Sequence, residues 1–330
     1  MTALSTGNSC DLVKRALEFG GPERVPVHFF PPRHSDIAFA YIPDSRGWHS
    51  LGMCGEDEWG CGWTTVNRTM GRVTKHPLSR WEELDVYPWP DFSDPGRYDF
   101  ARWAVANAEG RYVLAELPAS FFERSKQLRG DIEFLLDLRA EPQRVDDLLG
   151  RLQDTLVDVI RRLAGLGAHG VIVYDDLGMQ DRLWMDPALW RRIFKPRYAA
   201  LVRAAHELGL QFFLHSCGYI WDIIEDLVEI GVDCLQLDQP DLFGVDALAE
   251  RFGGRICFYC PVDIQTTLVS SSREDIRYAA RKLMLRLGNY GGGFIGKEYP
   301  QPFAIGLRQE NIEAMYRAFL EHGRYPLSPP

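Results

Sequence analysis

His215 and Cys217 stand two residues apart where an apolar run gives way to glycine, in "FFLHSCGYIWDIIEDLVEIGVDCLQLDQP", residues 212–240. In an extended strand, positions i and i+2 project from one face, so this imidazole and thiol can reach a single ion. The pair suits zinc, whose catalytic sites use three protein ligands and leave a position for water or substrate. A third ligand is needed. Cys260 is the first choice from the sequence, with Glu298 and Asp238 behind it. An HxC pair alone also arises by chance, and the bland alternative is two small residues ending a strand.

Other polar residues end apolar runs in the same way. Glu116 follows "YVLA", Asp175 and Asp176 follow "VIVY", Asp238 follows "CLQL", Cys260 follows "CFY" and Glu298 follows "GGFIGK". A single aspartate at such a place also serves as a helix cap. Six runs ending in ligand or acid/base groups point to one shared site, with Glu116, Asp176, Asp238 and Glu298 orienting substrate or exchanging a proton. Trp48, Trp59, Trp63, Phe121, Phe122 and Trp184 are candidates to wall an apolar pocket, or else ordinary packing. Cys257 and Cys260 form a CxxC pair at a strand end, which is not the strand-to-helix turn of a redox motif. Cys54 and Cys61, near His49, are expected to be structural thiols.

The elements that position these residues alternate. From residue 142, helical periodicity over 142–167 leads to the run "HGVIVYDD", and the same order repeats through "LQFFLHSC", "VDCLQLDQ", "GRICFYC" and "GGFIG" before a last helix at 309–323. Five helix-then-strand units predict parallel strands, since each must cross back over a helix. Near-continuous apolar strands are buried on both faces. With "RVPVHFF" and "YVLAEL" in the first half, seven or eight strands favour a single (β/α)8 barrel over residues 1–330, its chemistry at the C-terminal strand ends. No GxGxxG or GxxxxGK loop follows a strand, which weakens a nucleotide-binding reading. Residues 56–76 read as a β-hairpin inserted near the barrel mouth.

At 330 residues, with 46% hydrophobic composition, the chain can fill a large core. Net charge is −9, without a basic block, which argues against nucleic acid or an anionic membrane as partner. Seven cysteines are not a disulfide framework, and no run suits a membrane span or signal core, so a soluble, cytoplasmic protein is expected.

Residues 115–323 resemble the uroporphyrinogen decarboxylase superfamily of barrels. The resemblance rests on "FFERSKQLRGDIEFLLDL", "YDDLGMQDRLWMDPALWRRIFKPRY", "LHSCGYIWDIIEDLVEIGVDCLQLDQP" and "GGGFIGKEYPQPFAIGLRQENIEAMYRAF". It implies two branches. The decarboxylase branch uses an arginine-rich N-terminal segment and an aspartate, which Asp175 or Asp176 could match, but only Arg33 and Arg46 stand in "VHFFPPRHSDIAFAYIPDSRGWHS". The zinc-dependent cobamide methyltransferase branch binds metal through HxC and a later cysteine. His215 and Cys217 match the first part, while "GGGFIGKEYPQ" lacks the cysteine, so Cys260 or Glu298 replaces it or the metal is lost. The resemblance therefore implies methyl transfer between a small methylated substrate (a methoxylated aromatic, methylamine or thiol) and a corrinoid (cobamide) on a partner protein, with zinc as Lewis acid. The alternatives are a metal-free decarboxylase or lyase acting on a small carboxylated substrate and a non-catalytic scaffold.

Overall fold

The structure, a computed structural model, describes residues 8–49, 54–65 and 71–328. Its strands are β1 (Val27–His28), β2 (Ile37–Ala40), β3 (Gly55–Glu56), β4 (Gly62–Thr64), β5 (Arg72–Lys75), β6 (Tyr112–Glu116), β7 (Gly170–Tyr174), β8 (Gln211–His215), β9 (Cys234–Gln236), β10 (Cys257–Cys260) and β11 (Phe294–Lys297). Eight of them form one parallel sheet in the order β1, β11, β10, β9, β8, β7, β6, β2, with β3, β4 and β5 a separate antiparallel sheet. The sheet rolls into the expected (β/α)8 barrel. β1 and β2 share no ladder; the Asp36 N–H donates to the Val27 carbonyl at 2.7 Å and the Asp36 carboxylate takes the Val27 N–H at 2.8 Å. That carboxylate is fully buried and also bound by Arg24, Ser9 and His34.

The helices follow from sequence patterning. Helix Pro142–Leu166 buries Val145, Leu148, Leu149, Leu152, Leu156, Val159, Ile160 and Leu163 on one face, each worth about 1.5–3 kcal/mol. It stops at Gly167, whose φ of 96° suits glycine. The pattern over 187–209 divides into helices Pro187–Ile193 and Lys195–Glu207, because Pro196 lacks an N–H and crowds the preceding turn.

Strand alternation decides what reaches the mouth. Ile37, Tyr112, Leu114, Ile172, Phe213, Cys234, Cys257, Tyr259 and Ile295 pack together inside the barrel, joined by Cys10, Val13 and Leu17 of helix Ser9–Leu17, which plugs the N-terminal ends of the strands. Their neighbours Val113, Val171, Val173, Phe212, Leu214, Leu235, Phe258 and Cys260 belong to the outer core with the helices. The floor is thus apolar and closed, and polar side chains collect above it.

In place of the hairpin expected over 56–76 stands a three-stranded sheet, β3 to β5, over 55–75; residues 66–70 lie outside the described residues. It docks on helix Phe122–Arg129 through buried Asp57, which accepts from Trp63 Nε1 at 2.9 Å and Arg124 Nη1 at 3.1 Å. Cys61 is buried beside it, its Sγ 3.4 Å from the Gln127 carbonyl, and Cys54 is exposed. Among the described residues no helix is long and apolar enough to cross a membrane.

Candidate functional site

The loops after β7 and β8 interlock. Gly218 has φ 77°, and a Cβ there would lie 2.1 Å from the Gly178 carbonyl oxygen, while a Cβ on Gly178 would lie 2.5 Å from the Tyr219 nitrogen. Only glycine at both positions allows this approach. The Leu177 N–H donates to Ser216 Oγ at 3.0 Å and the Cys217 N–H to Asp176 Oδ1 at 2.9 Å. The Gly218 N–H donates to Gln239 Oε1 at 2.9 Å.

This clasp brings three donors together. His215 Nε2 lies 3.2 Å from Asp176 Oδ1 and 3.5 Å from Cys217 Sγ, and the three ligand atoms all fall within 4.8 Å of one another. One oxygen, one imidazole nitrogen and one sulfur at such spacing can hold a zinc-sized cation. His215 Nδ1 is buried without a hydrogen-bond partner.

The charges are coupled. Burial pushes the Asp176 carboxyl up, but the His215 hydrogen bond and charge and the Cys217 N–H outweigh it and hold the group down at about 2. Burial disfavours the His215 cation, yet Asp176 and Cys217 raise the imidazole well above its usual value. Burial raises the Cys217 thiol, with His215 opposing. Glu116, facing the same interior, is pushed up to about 7 by burial, again with His215 opposing.

Opposite stands a second polar group. Asp238 Oδ1 accepts from Lys297 Nζ and from Gln236 Nε2, each at 2.8 Å, and all three residues are buried. The Lys297 ammonium sits 5.5 Å from the centre of the Tyr259 ring. Burial, with Lys297 adding, pushes His28 down to about 3, and its Nδ1 is hydrogen-bonded to the Tyr259 hydroxyl. Tyr174, 37% exposed at the open end, lies 5.0 Å from the His215 ring.

Of the residues expected from sequence, Glu116, Asp176, His215, Cys217 and Asp238 share the inward positions. Cys260 does not join them. Cys257 and Tyr259 take the inward positions of β10, which turns Cys260 outward into the helical core, where burial pushes its thiol well up. Glu298 follows the inward Lys297 and turns aside to accept from the Phe30 N–H at 3.1 Å and Arg33 at 3.3 Å. Asp175 is a buried cap: its carboxylate takes the N–H groups of Phe121, Phe122 and Glu123 at 3.1, 2.9 and 2.7 Å and the Tyr198 hydroxyl. It closes the start of helix Phe122–Arg129, which has no side-chain cap of its own at Phe121.

The aromatic candidates serve packing. Trp48 packs at a tilt against Trp63, Arg124 lies over Trp59, Phe121 packs on Tyr198, and Phe122 and Trp184 flank the ammonium of Lys126. Lys126 in turn pairs with Glu123 at 2.5 Å, and burial pushes Glu123 up to about 7. Tyr174, Gln236 and Lys297 were not singled out by sequence reasoning. Counting back or forward by two from the inward residues finds them, since Tyr174 precedes Asp176 and Gln236 precedes Asp238 at that step.

A parallel barrel with its polar groups gathered at the C-terminal strand ends is the architecture of a catalytic (β/α)8 protein. The chain belongs to the uroporphyrinogen decarboxylase (URO-D) family, whose sequence signature matches residues 124–298, more than half of the chain. Among solved structures it is similar to a methyltransferase from Methanosarcina mazei, with a TM-score of 0.70 at 16% identity, covering 95% of this chain and 98% of that one. An intracellular xylanase from Thermoanaerobacterium saccharolyticum matches with a TM-score of 0.44 at 11% identity, over 97% of this chain and 99% of that one. No curated protein matches the chain in sequence.

Proposed function

We propose that the barrel is a zinc-dependent methyltransferase, moving a methyl group between a small methylated substrate (a methoxylated aromatic, methylamine or thiol) and a corrinoid carried by a partner protein. The observation that carries this reading is the convergence of Asp176, His215 and Cys217 at the mouth. The methyltransferase that shares the fold supports it. His215 Nε2, Cys217 Sγ and an Asp176 oxygen would hold the ion, with Asp176 in the place first given to Cys260. Zinc bound there supplies Lewis acidity toward a substrate oxygen or sulfur.

The chain's own residues do the rest. Glu116 holds its proton up to about pH 7 and can exchange it with the substrate heteroatom near neutrality, a contribution of about 10²–10⁴ in rate for a positioned group. Tyr174 offers a ring face beside His215. Asp238, fixed by Lys297 and Gln236, orients polar parts of the substrate.

A metal-free decarboxylase would need free cations for its carboxylates. Around the mouth Lys297 is paired with Asp238, Lys126 with Glu123 and Arg33 with Glu298, which favours the methyl-transfer reading. Metal analysis of protein purified without an affinity tag tests it. Wild type is expected to hold about one zinc per chain and Cys217→Ala to lose it. The loaded protein is then expected to demethylate a candidate donor in the presence of a corrinoid protein. Reduced, freshly prepared wild type without metal refutes the zinc mechanism.

A further inference from the structure

Two buried polar atoms left without a hydrogen-bond partner sit on residues directly opposite each other in adjacent strands: His215 Nδ1 on β8 and Gln236 Oε1 on β9. Both residues occupy inward positions. The atoms are complementary, since a ring nitrogen can carry a proton and an amide oxygen can only accept one. The orientation of the Gln236 amide is dictated by its neighbours. Its Nε2 donates at 2.8 Å to Asp238 Oδ1, a carboxylate oxygen that Lys297 Nζ also binds at 2.8 Å, so the amide oxygen must be the end turned away from Asp238.

His215 Nε2 is the nitrogen that faces Asp176 and Cys217. A cation held there takes the Nε2 lone pair, and the neutral imidazole must then carry its single proton on Nδ1. That proton lies in the buried barrel interior and needs an acceptor. An unpaired buried donor costs about 1–3 kcal/mol, as does the acceptor now left open on Gln236.

We infer that Gln236 is a positioning residue for the metal centre, accepting the His215 Nδ1 proton and thereby fixing the tautomer and ring orientation in which Nε2 binds the ion, with Asp238 and Lys297 holding the Gln236 amide in the required sense. The inference rests on the zinc reading above. It gives the Lys297–Asp238 pair a role independent of any substrate: the order Lys297, Asp238, Gln236, His215 is a line of donors and acceptors in which each orientation sets the next. Outer-shell partners of this kind are worth about 10–100-fold in metal affinity.

The test uses the full chain with Zn²⁺ or Co²⁺ alone. Affinity is read by competition with a chromogenic chelator, and the imidazole proton by NMR of protein labelled with ¹⁵N-histidine. Wild type saturated with zinc is expected to show a slowly exchanging His215 Nδ1–H signal. Gln236→Met, similar in length but without an acceptor, is expected to bind metal about 10–100-fold more weakly and to lose the protected signal, while the metal-free protein stays folded, less stable by the lost bond to Asp238. Asp238→Asn, nearly isosteric, lets the Gln236 amide turn its NH2 toward His215 and is expected to weaken binding as well. Adding Gln236→Glu to Asp238→Asn restores an acceptor and is expected to recover both affinity and signal. Gln236→Met with wild-type affinity and an unchanged signal overturns the inference and leaves the zinc reading standing. Asp238→Asn matching the double variant in both measurements also overturns it, should Gln236→Met not fold. Folded, reduced wild type that binds neither metal overturns both.

Discussion

The adjacent aspartates after β7 are expected to fail in opposite ways. Asp175 is fully buried, and its carboxylate accepts three backbone N–H groups and the Tyr198 hydroxyl. Hydrogen bonds to a charged group are worth about 1.5–3 kcal/mol each, so four give a gross of about 6–12 kcal/mol. Against this stands the cost of burying the charge, which is large enough to push the Asp175 carboxyl above its usual range despite those donors. The net loss expected for Asp175→Ala is therefore about 3–5 kcal/mol, the range seen when a buried polar network loses its central acceptor. The Asp176 side chain is 40% exposed to the mouth, and Asp176→Asn keeps its shape. Its stability in the metal-free state is expected to stay within about 1 kcal/mol of wild type. Its zinc affinity is expected to fall by more than the roughly 10–100-fold of an outer-shell change. Urea unfolding of the metal-free proteins and chelator competition separate the two effects. An Asp175→Ala protein within about 1 kcal/mol of wild type refutes the cap, and Asp176→Asn with wild-type zinc affinity refutes the ligand assignment.

Two further outcomes are expected. Folded Glu116 keeps its proton up to about pH 7 where the unfolded chain loses it near 4.5, so the unfolded state binds fewer protons and metal-free stability falls as pH rises across that window. Glu116→Gln is expected to flatten the slope by up to about 1.4 kcal/mol per pH unit, and urea unfolding at several pH values that shows the same slope in both proteins contradicts it. Cys260→Ala is expected to retain the full zinc content of wild type at a stability cost of about 1 kcal/mol, and loss of zinc would return Cys260 to the ligand set.

Much of the barrel was legible because five buried strands and their helices carry strong, different periodicities. β2 was not, since "IAFA" places small alanines on its outer face, where the stronger β-formers of the other strands are missing. The inward set failed at Cys260 and Glu298 for one reason. Each stands one residue out of phase with the inward residues of its strand, Tyr259 and Lys297, and an apolar run buried on both faces hides that phase. Asp175 and Asp176 show the same one-residue rule from the other side. Asp176 was expected as an acid/base or orienting group rather than a ligand, and the clasp of Gly178 against Gly218 is what brings it to Cys217.

The seam at Asp36 has a consequence for how chains meet one another. A parallel sheet that stops short of closing has two edges, each a row of free N–H and C=O groups able to template pairing with another molecule. Here those edges, β1 and β2, are sequence neighbours drawn together by one carboxylate. Asp36 thus turns an open sheet into a ring without an extra strand, and guards against edge-to-edge association at the place where the ladder is missing.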